Sequence, residues 1–219
     1  MLLLLLAAPA QAQAVSDPPI RRAEMEVGGG ILGGRSLGKA DANLRANATT
    51  KQPYRLFSTD NSVAPVPSLH LRAAFAWSRR FAVEGGFVVS RPVLRSSVSG
   101  DVECTPPLVV DEQIDQYFLE ASLLVRLDEI RLGPRTVPFV AGGAGYVRQL
   151  HQGLMVIDEG HLYHLGGGVK HWLRTSNRGL IKSTGVRADA RVYLLTSGIA
   201  FEDGPKPHLA ATGSFFMVF

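Results

Sequence analysis

Apolar and polar side chains alternate with a period of two along most of this chain. In YFLEASLLVRLD, Tyr117, Leu119, Ala121, Leu123, Val125 and Leu127 form one apolar series, while Glu120, Ser122, Arg126 and Asp128 fall on the other. A helix turns about 100° per residue and would scatter those four polar side chains around its circumference; a strand puts them on one face. The same arithmetic predicts strands with Leu69, Leu71, Ala73, Phe75 and Trp77 opposed by His70 and Arg72, and with Phe81, Val83, Gly85, Phe87 and Val89 opposed by Glu84. Val186, Ala188, Ala190, Val192 and Leu194 alternate with Arg187, Asp189 and Arg191, and Leu209, Ala211, Gly213, Phe215, Met217 and Phe219 form the last series. Met25, Val27 and Ile31 against Glu24 and Glu26 make the first strand. Two glycine-rich stretches, 136–149 and 161–174, bring the total to eight strands and leave their own facing open.

The connections alternate as well. Long gaps at 35–66 and 95–114 and a medium one at 150–160 are interleaved with tight turns at Ser78-Arg79, Gly133-Pro134 and TSNRG, and the loop SGIAFEDGPKP comes last. An up-and-down antiparallel β-barrel that crosses a membrane has this rhythm, short turns on one side and longer loops on the other; a soluble sandwich has no need of it. Each apolar series runs for about ten residues, enough for a tilted strand to cross the hydrocarbon. The opposite series carries Glu26, Arg72, Glu84, Glu120, Arg126, Lys170, Arg187, Asp189 and Arg191, four acids and five bases. A soluble barrel turns such charges outward, and a membrane barrel turns them inward. Trp77, Phe81, Tyr117, Tyr163 and Phe219, near the ends of the predicted strands, fit the second arrangement, because aromatic rings favour the membrane interfaces.

The start of the chain sharpens this. MLLLLLAAPAQAQAVSDPP is an apolar run followed by small residues alternating with Gln, the pattern of a secretory signal peptide over 1–14, although the basic residues that usually precede the apolar run are missing. Residues 15–22 then make a short N-terminal segment and 23–219 a single all-β domain, a size that barrels occupy undivided. No later apolar run approaches the roughly 20 residues of a membrane-spanning helix. A net charge of +4 is too modest to indicate nucleic acid. Cys104 is the only cysteine, which excludes a disulfide framework and a cysteine-based metal site. Asn47-Ala48-Thr49 matches a glycosylation acceptor, which matters only in a cell that has the machinery.

Gly28, Gly30 and Gly33 in EMEVGGGILGG spell the G-x-G-x-x-G of a dinucleotide-binding loop. That chemistry requires a strand feeding a helix whose N-terminal N–H groups meet a pyrophosphate. The following RSLGKADANLRANATTKQPYRLFSTDNSVAPVP has no apolar stripe at helical spacing, so no cofactor is expected. The glycines read instead as a bend in the first barrel strand, a device repeated at Gly85-Gly86, Gly142-Gly143 with Gly145, and Gly166–Gly168. His161 and His164 near Glu159 are three residues apart and on a strand face opposite sides, so no metal is expected there. Ser58, His151 and Asp158 could meet only in space, and nothing in the sequence selects them as a catalytic set.

The ending SFFMVF places an aromatic residue last, with apolar residues at the third- and fifth-from-last positions. With VPFVAGGAGYVRQL, HLGGGVKHWL and GVRADARVYL, it resembles the small outer-membrane β-barrels of Gram-negative bacteria, of the OmpA-transmembrane or OmpX type within the broad outer membrane β-barrel domain family. The resemblance covers about residues 23–219. It implies an eight-stranded transmembrane barrel in the cell outer membrane, a monomer in contact with membrane lipid and lipopolysaccharide. It also implies that the barrel-insertion machinery reads the last strand, with Phe215, Met217 and Phe219 as the matching insertion signal. The family often has Gly five residues before the final Phe; this chain has Ser214 there and Gly213 one position earlier. Resemblance to a lipid A deacylase would need a His-x-Ser pair, and none of the six histidines has a Ser two residues on, so the expectation is non-enzymatic.

An eight-stranded barrel is just wide enough for its own side chains. Inward charges then need partners, because an unpaired buried ion costs several kcal/mol. Arg187 and Arg191 are expected to meet Glu84, Glu120 or Glu26 in an interior network shared with Arg72, Arg126, Lys170 and Asp189. The expected role is structural or surface-binding, through the extracellular loops. Loop 35–66 carries Arg35, Lys39, Arg45, Lys51 and Arg55 against Asp41 and Asp60, and reads as a site for lipopolysaccharide phosphates or as a solvated spacer. The alternatives are a secreted soluble lipocalin-like barrel holding a small apolar ligand, and a narrow ion-conducting pore.

Overall fold

The computed structural model describes residues 22–44, 54–100, 108–130, 132–151, 157–176, 179–196 and 206–219. The signal peptide expected over 1–14, residues 15–21, Arg45, the 47–49 acceptor, Lys51 and Cys104 lie outside the described residues. Arg22, expected in the N-terminal segment, opens the first strand instead. In chain order the strands are β1 (Arg22–Leu32), β2 (Arg35–Leu44), β3 (Tyr54–Val63), β4 (Val66–Ala76), β5 (Phe81–Ser90), β6 (Val93–Ser99), β7 (Leu108–Gln113), β8 (Asp115–Arg126), β9 (Thr136–Leu150), β10 (Ile157–Thr175), β11 (Ser183–Leu195) and β12 (Lys206–Val218).

Eight of these close into a barrel in the order β1-β12-β11-β10-β9-β8-β5-β4, with β1 antiparallel to both β12 and β4. Closure leaves no barrel strand with an unpaired edge. The side chains then sort as the alternation requires. Leu69 and Leu165 point outward and are each 70% exposed, whereas Arg72 on β4 points inward and is 1% exposed. Met25, Val27, Leu71, Phe87, Leu119, Leu123 and Leu209 continue the outward apolar band around the wall. In water such a band would forfeit about 25 cal/mol for every Å² left uncovered, and only lipid covers all sides of a closed barrel. The soluble lipocalin-like alternative is thereby overturned: its apolar face would be inside.

The facing of the glycine-rich strands follows from the same burial pattern. On β9 the odd residues point inward, including Gly143 and Gly145; on β10 the even ones do, including Gly166 and Gly168. A Cβ on Gly143 would overlap the Ala121 carbonyl oxygen, so at this point the wall curls too tightly for any side chain. At the end with tight turns, the Ser78 hydroxyl accepts from Phe81 N (3.0 Å), and Gly179 supplies a φ of 88° between β10 and β11.

The gaps 35–66 and 95–114 are not loops throughout, and that expectation is corrected. β2, β3, β6 and β7 form a second, four-stranded antiparallel sheet in the order β2-β3-β6-β7. Each of its strands is a continuation of a barrel strand, joined at Gly33-Gly34, Ala64-Pro65, Arg91-Pro92 and Ile114. Pro65 and Pro92 have no N–H to give the ladder, so pairing breaks at one height and resumes above it. Ala64 N to Val93 O (3.1 Å) and Ile114 N to Pro92 O (2.9 Å) bridge the break. Leu37, Val63, Leu94 and Ile114 are buried together at this junction.

Candidate functional site in the barrel interior

The barrel interior has three levels. Nearest the second sheet lies an apolar plug that includes Leu32, Val88, Phe118, Val147, Leu162 and Tyr193. Nearest the short turns, Ala82, Leu124, Phe139 and Ala141 form another apolar layer. Between them sits a cluster of charges.

Every strand that contributes a charge does so from its inward series. Arg72 (β4) donates from Nη1 to Glu26 on β1 (2.7 Å) and to Asp189 on β11 (3.2 Å). Arg187 Nη1 donates to Glu26 (2.9 Å) and Glu84 on β5 (2.5 Å), and its Nε lies 2.7 Å from Asp189. Arg191 donates to Glu120 on β8 (2.9 Å) and to Glu84 (2.7 Å). Three guanidiniums thus face four carboxylates, all 6% exposed or less. Two hydroxyls solvate the surplus negative charge: Tyr193 donates to Glu120 (3.1 Å) and Ser214 to Glu26 (2.6 Å). Arg72 Nη2 also donates to His70 Nδ1 (3.2 Å), which leaves Nε2 to donate to the Ser68 hydroxyl (2.8 Å).

Room for these long side chains comes from their neighbours. Glu120 stands between Gly86 and Gly145, Asp189 between Gly168 and Thr212, and Arg191 between Gly166 and Ala210. Small residues beside large ones keep the barrel narrow and filled.

Two residues expected in the network stand elsewhere. Arg126 has the inward parity, but it sits at the last position of β8, where its Nε donates to the Arg79 carbonyl (2.6 Å) and approaches Asp128 (3.9 Å). Strand height, not facing, removes it. Lys170 is buried but pairs with Glu24, below the ring of Phe216. Tyr193, Ser214, His70 and Ser68 join the network without having been expected in it. Their signal in the sequence is position: each shares the inward parity of a charged residue on its own strand or on the strand beside it.

Other chemistry from the sequence resolves simply. His161 faces out and His164 in, where His164 lies against Ser122 (3.1 Å). Among the described residues no group of three or more His, Cys, Asp or Glu converges as metal ligands do. His151 sits between Glu112 (2.9 Å) and Asp158 (3.0 Å), so both ring nitrogens are engaged by carboxylates and neither is left for a serine nucleophile. Burial of that ring opposes its charge, and the hydrogen bonds to Asp158 and Glu112 outweigh it and raise its pKa. Phe215 and Met217 point outward on β12, and Phe219 N donates to Ala23 O (2.9 Å) beside them.

No protein-family model matches the sequence, and no curated protein does. Solved structures do match. The outer membrane protein OprG from Pseudomonas aeruginosa aligns with a TM-score of 0.52 at 11% identity, over 91% of this chain and 97% of that one. The fold is that of an outer-membrane β-barrel. The eight-stranded antiparallel barrel that the sequence leads one to expect is the fold found. Ail of Yersinia pestis, solved with the heparin analogue sucrose octasulfate, aligns at 11% identity over 92% of this chain and 100% of that one, with a TM-score of 0.48. The outer membrane protein AlkL in DMPC bilayers aligns at 18% identity over 92% of each chain, also at 0.48. An outer-membrane barrel lays its apolar band against lipid, and here that band runs from Met25 round to Phe215.

Proposed function

We propose that this outer-membrane barrel is a closed, non-enzymatic scaffold that holds the β2-β3-β6-β7 sheet beyond the membrane as a binding surface. The observation that carries the reading is the sheet itself. Its outer strand β7 pairs only with β6 among the described residues, and Leu108, Val109 and Val110 are all exposed on it. A free strand edge with consecutive apolar side chains is suited to pairing with an extended polypeptide, which gains ladder hydrogen bonds and side-chain burial together.

The interior supports the scaffold role against the pore. An ion crossing the barrel would have to pass the charged cluster and two apolar layers, and each layer would strip its hydration without replacing it. Lipid and lipopolysaccharide meet the outer wall in this reading, a single copy suffices because the barrel closes on itself, and the insertion machinery engages β12 through Phe215, Met217 and Phe219.

The test pairs the protein in lipid nanodiscs with a shortened variant in which 36–62 and 94–112 are replaced by tight turns. A library of short random peptides is panned on both. Peptides retained by the full protein and lost from a shortened variant that still shows heat-modifiable migration support the reading. Equal retention by the two makes the sheet a spacer. Single-channel steps in planar bilayers from the full protein would overturn the closed scaffold.

A further inference from the structure

At the end of the barrel with short turns, below the layer of Phe139 and Phe216, the interior opens into a cavity unconnected with the sheet on the far side. Its wall includes Arg22, Glu24, Arg79, Arg126 and Lys170, with Leu124 and Trp172 as its apolar side. Within the mouth the charges do not balance: the four cations Arg22, Arg79, Arg126 and Lys170 line it with one carboxylate. Lys170 uses that carboxylate, since it pairs with Glu24. Arg126 is committed in part to the Arg79 carbonyl and Asp128. Arg22 is left over, and its Nη1 is buried without a hydrogen-bond partner among the described residues.

A buried guanidinium nitrogen with no acceptor is costly, because it has lost water and gained nothing. Guanidinium is also the group best shaped to hold a carboxylate or phosphate by two parallel hydrogen bonds. The low polarity of the Leu124 and Trp172 side strengthens any such charge pairing. Trp172 is held in place edge-on to Phe216, with ring centroids 5.7 Å apart, so it offers a fixed apolar surface next to the cations.

We propose that this mouth is a binding site for a small organic anion with one carboxylate or phosphate head and a compact apolar body, entering from the side of the short turns. The head takes the open Nη1 of Arg22 with support from Lys170 and Arg126. The body lies against Trp172 and Leu124. Binding here is independent of the surface role proposed above, because the charged cluster and the apolar plug separate the two ends.

The chain has two tryptophans, Trp77 and Trp172, so W77F leaves Trp172 as the only indole and makes its fluorescence a report on the cavity. W77F protein folded in non-ionic detergent is titrated with phenyl phosphate, benzoate, inorganic phosphate, phenol and sodium chloride at matched ionic strength. The expected result is a saturable response to phenyl phosphate and benzoate, weaker binding of inorganic phosphate, and none of phenol. R22Q in the same background should raise the apparent dissociation constant by about tenfold or more, as loss of a charged hydrogen bond does. Movement of the Trp172 indole N–H resonance of the unsubstituted protein on adding phenyl phosphate gives a second reading that needs no variant. A response reproduced by sodium chloride or phenol, an unmoved resonance, or unchanged affinity in folded R22Q would each overturn the proposal.

Discussion

Gly145 faces Glu120 directly across β9 and β8, and a Cβ on the glycine would come within 2.9 Å of the Glu120 Cα and overlap the Leu119 carbonyl oxygen. The two strands are this close because the barrel is narrow, and the glutamate can reach the arginines only because nothing projects beside it. Overpacking a core by side chains that can shift costs about 1–3 kcal/mol; here the obstacle is backbone, so the cost exceeds that range. Gly145→Val is expected to abolish the heat-modifiable folded band after refolding in detergent. Gly85→Val, on the outward face with no atom within 4 Å, is expected to refold as the parent does. Equal yields from the two variants would remove the argument.

Much of the barrel can be read from period two alone. Leu69, Leu71 and Phe75 against Arg72 determine the strand and which residues share a face of β4; which face meets lipid follows only when the loop rhythm and the aromatic residues near the strand ends are added. The second sheet cannot be read this way. Around Ser36-Leu37-Gly38 and Asp60-Asn61-Ser62, polar residues occupy both parities, and the β2–β3 register shifts between Ser36 and Gly38. Without lipid against one face, nothing forces alternation there. Parity identifies Glu26, Arg72, Glu84, Glu120, Arg187, Asp189 and Arg191 as inward but carries no information about height. Arg126 shows the difference, having the right face at the wrong level. Partner choice is also hidden, because the register between strands distant in sequence decides which inward charges meet.

Glu84 ties Arg187 to Arg191 in the charged cluster, as Glu26 ties Arg72 to Arg187. Glu84→Gln keeps the shape but removes the charge, leaving both guanidiniums buried with one counter-ion fewer. Breaking a buried pair typically costs about 3–5 kcal/mol. The expected outcome is a lowered guanidinium chloride midpoint for unfolding in bilayers. Glu129→Gln, which removes a surface partner of Arg80 (2.6 Å), should shift that midpoint little, because exposed pairs contribute about 0–1 kcal/mol. A Glu84→Gln midpoint as close to the parent as that of Glu129→Gln would mean the cluster is not stabilising.

His151 ties the second sheet to the β9–β10 side of the barrel, holding Glu112 of β7 and Asp158 of β10 at once. The charged ring donates from both nitrogens; the neutral ring can donate from only one, so one carboxylate loses its donor. Its pKa is raised above the ordinary 6.5, the two hydrogen bonds outweighing the burial that opposes charge. A raised folded value means the stabilisation is complete below the unfolded pKa and is lost as pH rises through the folded one. NMR titration of the His151 ring should therefore give a midpoint above 6.5, and amide protection along β7 should fall across the same range. His151→Gln should remove that pH dependence. A midpoint at or below the ordinary value would show that the bridge is not made in solution.

Phe215 and Met217 point outward on β12, and Phe219 follows the strand's last residue, Val218. Phe219 contributes its backbone N–H to Ala23 O (2.9 Å), a bond that any residue with an N–H could make. In the proposed recognition before closure, the last strand is still unpaired and adds to the edge of another sheet by its own hydrogen bonds, with the terminal ring among the alternate side chains that give specificity. Phe219→Ala keeps the backbone bond and the strand but removes the terminal ring. Spontaneous refolding of Phe219→Ala into detergent micelles should match the parent, whereas the amount assembled in the outer membrane of living cells should fall several-fold, as measured by heat-modifiable bands from membrane fractions. Met217 is the last outward side chain of β12 before Phe219, so Met217→Ala combined with Phe219→Ala should deepen the loss. If assembly in cells stays at the parental level, or refolding in detergent falls with it, the ring has no role separate from the stability of the barrel.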